Sequence, residues 1–400
     1  MKVLFLVRDL GLGGVERCVA LVGEGLAARG VDVSVAMLAG NRNLWADRTA
    51  ALNIVDLSGV WHGKKPWTWL AGWRAVRKLA REHDVIIAAT FLAPLYMGYA
   101  ATRGLSKRFI GWVHGPLAEL DAFARMNPVH RTACQFVYRR MQELVFVSQH
   151  ARESMGRWLG SAVKPGWLVL PNFVDANGIA AFIPPFAEGG VGGISTSPEV
   201  SPTFDQCANI AEIPPSPPSR KGGGGHLLFV GRIAEEKQPH LWLDTLAALD
   251  KQGIKAELTI VGDGPLEAWL RTEANSRGLS EQLIFAGRQG HVAPYLAQAD
   301  ILLLTSSFEG CPLVVLEAMQ AGLPVVSTDA GGVYELFGER RNDFIAAANT
   351  GAALADLIAK QLPQHAQLAD WLRHRADAYS AAATLDRWLD LLNPSMKSSP

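Results

Sequence analysis

Short apolar runs alternate with longer amphipathic stretches along most of the chain. The first run, Val3 to Val7, ends at Arg8-Asp9 and a Gly-rich turn, Gly11-Leu12-Gly13-Gly14. Next, Cys18, Leu21, Val22, Leu26 and Ala27 recur at the spacing of one helix face, and Gly30 ends the helix. Val31 to Leu38, Val85 to Ala89, Phe109 to Val113, Leu144 to Ser148 and Trp167 to Asp175 follow as further runs. Each is short, bounded by turn residues and apolar on both faces, as expected of a strand buried inside a parallel sheet. After residue 225 the alternation resumes. Strands are expected at His226–Gly231, Ala256–Val261, Leu283–Arg288, Ile301–Leu304 and Pro324–Ser327. The helices expected between them cover about 239–249, 266–277, 291–299 and 313–320, with a helical end at 372–392. Such βα alternation, broken once, predicts an α/β protein of two doubly wound domains.

The break is compositional. Residues 176–225 hold Pro-Pro, Gly-Gly and Ser-rich stretches that cannot fill a packed core, so they read as a flexible insert or linker. The chain's 400 residues also exceed one ordinary core. The expected units are a first domain at 1–175, a second at 226–378, and a final helix at 379–393.

Formal charge sums to zero over the chain but is unevenly spread. Residues 1–170 carry 22 Lys and Arg against 12 Asp and Glu; the remainder carries 16 against 26. The first part is therefore expected to meet something anionic. The stretch Trp61–Arg81 sharpens this, with Trp61, Trp67, Trp69 and Trp73 set among Lys64, Lys65, Arg74, Arg77, Lys78 and Arg81. Two readings compete: a helix lying on an anionic membrane surface, or one packing its Trp face on its own sheet. A second basic-aromatic stretch, Phe123–Arg140, leans toward the membrane. Val85–Thr102 lacks charge over 18 residues; Thr90, Pro94 and Gly98 favour strand, loop and helix over a membrane span. Cys18, Cys134, Cys207 and Cys311 show neither disulfide nor metal spacing, as in a reducing compartment.

The richest candidate chemistry lies in Ser307-Phe308-Glu309-Gly310-Cys311-Pro312-Leu313-Val314-Val315-Leu316-Glu317. Glu309 precedes a helix start and Glu317 lies within that helix, so both can face one crevice from different elements. Gly310 permits close approach by another backbone, and Pro312 suits the first helical turn. Free N–H groups at the start of the helix suit an anion. Carboxylates beside an anion site fit a ligand bearing hydroxyls and phosphates, as a nucleotide sugar does. Arg232 and Lys237 are two cations at a strand end and helix start. His114 stands just past another strand's carboxyl end, where open α/β sheets bind ligands.

At Arg232, Lys237, Val261-Gly262-Asp263-Gly264-Pro265 and Glu309–Glu317 the chain closely resembles retaining glycosyltransferase family 4, of the GT-B fold. The resemblance spans nearly everything outside 176–225, and Gly13-Gly14-Val15-Glu16 and Leu170–Asp175 fit it more loosely. Phe173 stands where the family usually has Gly, and Asp343–Ala346 is the only trace of a Gly-rich strand. The resemblance implies two Rossmann-like domains facing across a cleft, with the donor on the second, the acceptor on the first, and the last helix crossing back. It implies a hexosyltransferase, working without a metal or other cofactor, that uses a UDP- or GDP-sugar as co-substrate. The acceptor is then a glycan or lipid-linked molecule, as in cell-surface polysaccharide or lipopolysaccharide synthesis. No nucleic acid is expected, and the expected location is the cytoplasm or the cytoplasmic face of the membrane.

The implied roles are specific. Arg232 and Lys237 meet the leaving diphosphate, with dipoles from Gly13, Gly14 and the amides of Gly310, Cys311, Pro312, Leu313 and Val314 (Pro312 itself has no N–H). Glu309 and His114 hold the transferred sugar, Glu317 holds the ribose, and Arg288 lies near the base. Competing readings are a nucleotide-sugar epimerase and a catalytically inactive sugar-nucleotide or glycan binder.

Overall fold

The computed structural model describes residues 1–174, except 12, 41, 63 and 64, and residues 225–393. Of the expected linker at 176–225, residues 176–224 therefore lie outside the described residues, as do Lys64 and Cys207, and Gly225 opens the first strand of the second domain.

The first sheet contains β1 (Lys2–Val7), β2 (Asp32–Met37), β3 (Asn53–Asp56), β4 (Val85–Ala88), β5 (Arg108–Val113), β6 (Glu143–Phe146) and β7 (Trp167–Val169). Their order is β3-β2-β1-β4-β5-β6-β7, all parallel. The second sheet contains β8 (Gly225–Val230), β9 (Ala256–Val261), β10 (Leu283–Gly287), β11 (Ile301–Leu304) and β12 (Val325–Ser327), in the parallel order β10-β9-β8-β11-β12. In both sheets the strand order reverses beside the first strand of the domain. There the carboxyl ends open a crevice.

In the first domain the helices are α1 (Gly14–Ala27), α2 (Trp69–Glu82), α3 (Ala93–Thr102), α4 (Leu117–Ala124), α5 (Pro128–Arg140) and α6 (Gln149–Leu159). In the second they are α7 (Pro239–Lys251), α8 (Glu267–Ser276), α9 (Ala293–Gln298), α10 (Leu313–Ala321), α11 (Val333–Phe337), α12 (Gly351–Gln361) and α13 (His365–Ala376), followed by α14 (Ala381–Leu392). One element departs from the sequence reading. The four residues of β3, half-exposed and ending in Asp56, show no apolar run and pass unnoticed in the sequence. The helical end resolves into α13 and α14, divided where Ser380 starts α14 by accepting from the Ala383 amide.

The uncharged stretch from Val85 resolves into β4, a loop and α3. No helix among the described residues is long and apolar enough to cross a membrane. On α2, Gly72, Val76 and Ala80 face the sheet. Trp61 departs from the membrane-surface reading: it is buried, wedged against Gly72, where a Cβ would strike its ring. Trp67 is 75% exposed, and Trp69 and Leu70 are exposed as well. Arg77 turns inward to the carbonyls of Ala101 and Arg103.

The last helix does cross back. Trp388 is buried edge-on against Trp112, with ring centroids 4.8 Å apart. Leu385 fills the space above Gly25 of α1, where a side chain would collide with it. Arg108 holds Glu143 and donates to the carbonyls of Leu391 and Leu392, satisfying two orphan acceptors at the end of α14. One apolar cluster thus runs from β1 and α1 through Trp388 into α10 and α13, so the two domains share a core.

Candidate active site

Between the domains lies a cavity of about 390 Å³, bordered by the carboxyl ends of β4, β5 and β8 and within the range of small-molecule sites. Of the residues singled out in the sequence, His114, Arg232, Lys237, Glu309 and Gly310 line it. Gly310 is there for a steric reason. A Cβ at this position would collide with the His114 carbonyl oxygen, so the backbones of the two domains meet where only glycine fits. Behind it, Gly331 takes φ +73° and Gly332 packs against the Gly310 carbonyl. The Glu309 amide donates to the Ala330 carbonyl at 2.7 Å, fixing the turn that presents its side chain.

Glu309 accepts from the Lys237 ammonium at 2.5 Å and from the Ser306 hydroxyl at 2.7 Å. Arg232 lies 2.5 Å from Glu236 and keeps a side chain that is 65% exposed. The second domain's wall is therefore a set of opposite charges paired with one another. Across the cavity, burial pushes the His114 imidazole down to about 3, so it is neutral at ordinary pH. Its Nε2 is buried without a hydrogen-bond partner.

The remaining candidates lie off this cavity. Pro312 is the residue before α10 rather than the first within it, and Leu313 and Val314 begin the helix. Cys311 is buried, its thiol pushed up to about 12 by burial, and its carbonyl accepts from the Asn172 amide at 2.7 Å. Gly13 precedes α1 in an extended conformation, and a Cβ on Gly14 would meet open space. Arg288 is exposed and paired with Asp263 at 2.6 Å. Glu317 differs most from expectation. It is 2% exposed and ion-paired with Arg17 of α1, across the domain interface. A carboxylate this buried needs a counter-charge, and in this state Arg17 supplies it where a ribose was expected. Burial still pushes its carboxyl up, with Arg17 opposing.

Three interface residues were missed in the sequence. Arg17 was legible only as a helix-start cation. Asn172 reaches Cys311. Glu335 accepts from the Gln149 and His150 amides at 2.9 and 2.7 Å, so a carboxylate of the second domain caps α6 of the first. Among the described residues, no group of three or more His, Cys, Asp or Glu side chains could hold a metal ion.

Two family models match the chain: "Glycosyltransferase Family 4" over residues 12–177 and "Glycosyl transferases group 1" over residues 216–379. Curated relatives include the Vi polysaccharide biosynthesis protein VipC/TviE of Salmonella typhi, 36% identical over 30% of this chain and 20% of its own. Another is the amylovoran biosynthesis glycosyltransferase AmsK of Erwinia amylovora, 34% identical over 33% of this chain and 34% of its own. The chain thus spans between a fifth and about a third of the length of these relatives. Among solved structures, Anabaena Alr3699/HepE in complex with UDP and glucose superposes with TM-score 0.76 at 18% identity, covering 98% of this chain and 100% of that one. A sucrose-phosphate synthase from Thermosynechococcus elongatus gives 0.78 at 17% identity, with both chains fully covered. These likenesses show the fold.

Proposed function

The chain belongs to glycosyltransferase family 4 and has the GT-B fold, and from that premise we propose that it moves a hexose from a nucleotide diphosphate sugar to a glycan or lipid-linked acceptor, with retention of configuration. The observation that carries the reading is the cleft wall that holds the Lys237–Glu309 pair and Arg232, opposite a neutral His114.

Breaking the anomeric C–O bond leaves a nucleoside diphosphate whose charge grows along the reaction. Fixed cations placed beforehand lower that barrier. Lys237 and Arg232 take this role, each exchanging a carboxylate partner for phosphate oxygens at about 1.5–3 kcal/mol per charge-assisted contact. Glu309, released by Lys237, accepts from hydroxyls of the transferred sugar, and neutral His114 hydrogen-bonds that sugar from the other wall. Glu317 takes the ribose hydroxyls once Arg17 yields one carboxylate oxygen. The N–H groups opening α10 face the diphosphate, Gly13 and Gly14 approach it from α1, and Arg288 lies beside the base. The reaction uses no metal. The solved complexes of Alr3699/HepE with UDP and with UDP-glucose support a uridine donor, and the Vi and amylovoran relatives support polysaccharide assembly.

Nucleotide release from a panel of UDP- and GDP-sugars tests this reading. Turnover of at least one donor is expected, with at least a 100-fold loss in Glu309→Ala at unchanged thermal stability. If no donor is bound or turned over, the reading fails. We also propose that the exposed Trp67, Trp69 and Leu70, with Arg74 and Lys78, rest on the anionic cytoplasmic face of a membrane. Sedimentation with phosphatidylserine vesicles should fall at least fivefold when Trp67 and Trp69 become Ala. Equal recovery with neutral vesicles argues against an anionic partner.

A further inference from the structure

Lys237 stands at the end of a single helical turn, Glu235–Lys237, and the next residue, Gln238, takes φ 48° and ψ 57°. An L side chain rarely adopts this left-handed conformation. It persists where surrounding contacts over-determine the backbone, and such residues cluster at functional sites. Here the contacts come from the segment that follows β11. Thr305 and Ser306 are both fully buried. Thr305 Oγ1 donates to the Lys237 carbonyl at 2.6 Å and accepts from the Trp242 indole N–H at 2.6 Å. The indole can only donate, so the one hydroxyl hydrogen of Thr305 is left for Lys237. The Ser307 amide donates to the Glu236 carbonyl at 2.8 Å. Between them, the Ser306 hydroxyl donates to Glu309, and the Ser306 carbonyl accepts from the Thr328 hydroxyl at 2.8 Å. Trp242 is itself fully buried against Phe229, with ring centroids 4.2 Å apart. A chain of hydrogen bonds therefore runs from the core of the second domain to the root of Lys237.

On the transferase reading, we infer that Thr305 is a positioning residue for sugar transfer: with Trp242 it anchors the backbone of Lys237, so that the ammonium meets the leaving diphosphate in one place. Thr305 does not line the cavity, so it acts through Lys237. In the present state Lys237 is held at both ends, by Thr305 at its carbonyl and by Glu309 at its ammonium. When the donor enters, the ammonium exchanges Glu309 for phosphate oxygens, and the backbone anchor is what still fixes the residue. The lysine stem is long and flexible, so any play at its root is carried to its tip. A cation lowers the barrier to the extent that it is already in place when charge develops. The diphosphate gains charge as the anomeric bond breaks. A misplaced ammonium therefore costs more in the transition state than with the donor bound.

Thr305→Val keeps the shape and removes the hydroxyl, whereas Thr305→Ser keeps the hydroxyl. With a donor that the wild type turns over, Thr305→Val should lower kcat at least tenfold and change the donor KM less than threefold. Thr305→Ser should stay within threefold of the wild-type kcat. Calorimetry with UDP or GDP, matched to that donor, gives a readout that lost packing alone would not reproduce. Thr305→Val should weaken binding at least fivefold in the wild-type chain and less than twofold in Lys237→Ala, where no ammonium is left to misplace. A wild-type kcat in Thr305→Val, a Thr305→Ser variant as slow as Thr305→Val, or an equal loss of affinity with and without Lys237 would overturn the inference. If Thr305→Val does not fold, Trp242→Phe removes the N–H that orients the Thr305 hydroxyl, and its loss of affinity must depend on Lys237 in the same way; a loss independent of Lys237 overturns the inference equally. A chain that binds no nucleoside diphosphate and turns over no donor would instead remove the transferase reading, and this inference with it.

Discussion

Single residues in the cleft are explained by what stands opposite them. Gly310 faces the His114 carbonyl so closely that a methyl group has no room. Gly310→Ala is therefore expected to push the domains apart and not to unfold either one. Sugar transfer should drop at least 50-fold while the thermal midpoint moves by no more than a few degrees. A wild-type rate would mean that this close approach is not needed for turnover. The same scale shows what the sequence made legible. His114 and Arg232 closely follow strands, Lys237 ends the short turn leading into α7, and Glu309 lies in the turn between β11 and α10; a doubly wound topology brings these connections of both sheets to one crevice. Local pattern put them near one crevice, and the roles given to them came from the family resemblance. Arg17 and Glu335 act across the interface on partners about 300 and 185 residues away. Their roles depend on how the domains close, which no local pattern encodes.

Elements were read well where burial imposed a pattern and poorly where it did not. Strands such as β1 and β4, buried on both faces, announce themselves as apolar runs. The edge strand β3 does not. The trace at Asp343–Ala346 is a single bridge, Ile345 to Ser327, extending the β12 side. The helix α14 belongs by sequence to the end of the second domain and by packing to the first. Trp388, Leu385 and the Arg108 contacts hold it there. Trp388→Ala leaves a cavity beside Trp112 and is expected to cost about 3–5 kcal/mol. Chemical denaturation monitored by fluorescence and circular dichroism would measure it. A loss below 1 kcal/mol would mean that α14 contributes little to the first domain's stability.

At the scale of the whole molecule, the ion pair between Arg17 and Glu317 ties the domains together at a point where almost no water reaches. Burial works against the Glu317 charge and Arg17 works for it. Replacing Arg17 with Met removes the counter-charge but keeps most of the side-chain volume. An unpaired buried carboxylate costs about 3–5 kcal/mol, and the molecule can avoid that cost by opening the cleft or by protonating Glu317. The two responses leave different signatures. Opening enlarges the radius of gyration in small-angle scattering. Protonation gives a pH dependence whose sign follows from the raised carboxyl. Between the unfolded and folded pKa values the native state binds the extra proton, so stability falls as pH rises through that window. The Arg17→Met deficit should therefore be largest near neutral pH and shrink on acidification. Glu317→Gln in the same background should recover much of the loss at pH 7, because it removes the charge that has no partner. If Arg17→Met is as stable as the wild type at pH 7 and no more expanded, the pair does not hold the domains closed, and Glu317 is open to the ribose without displacing Arg17.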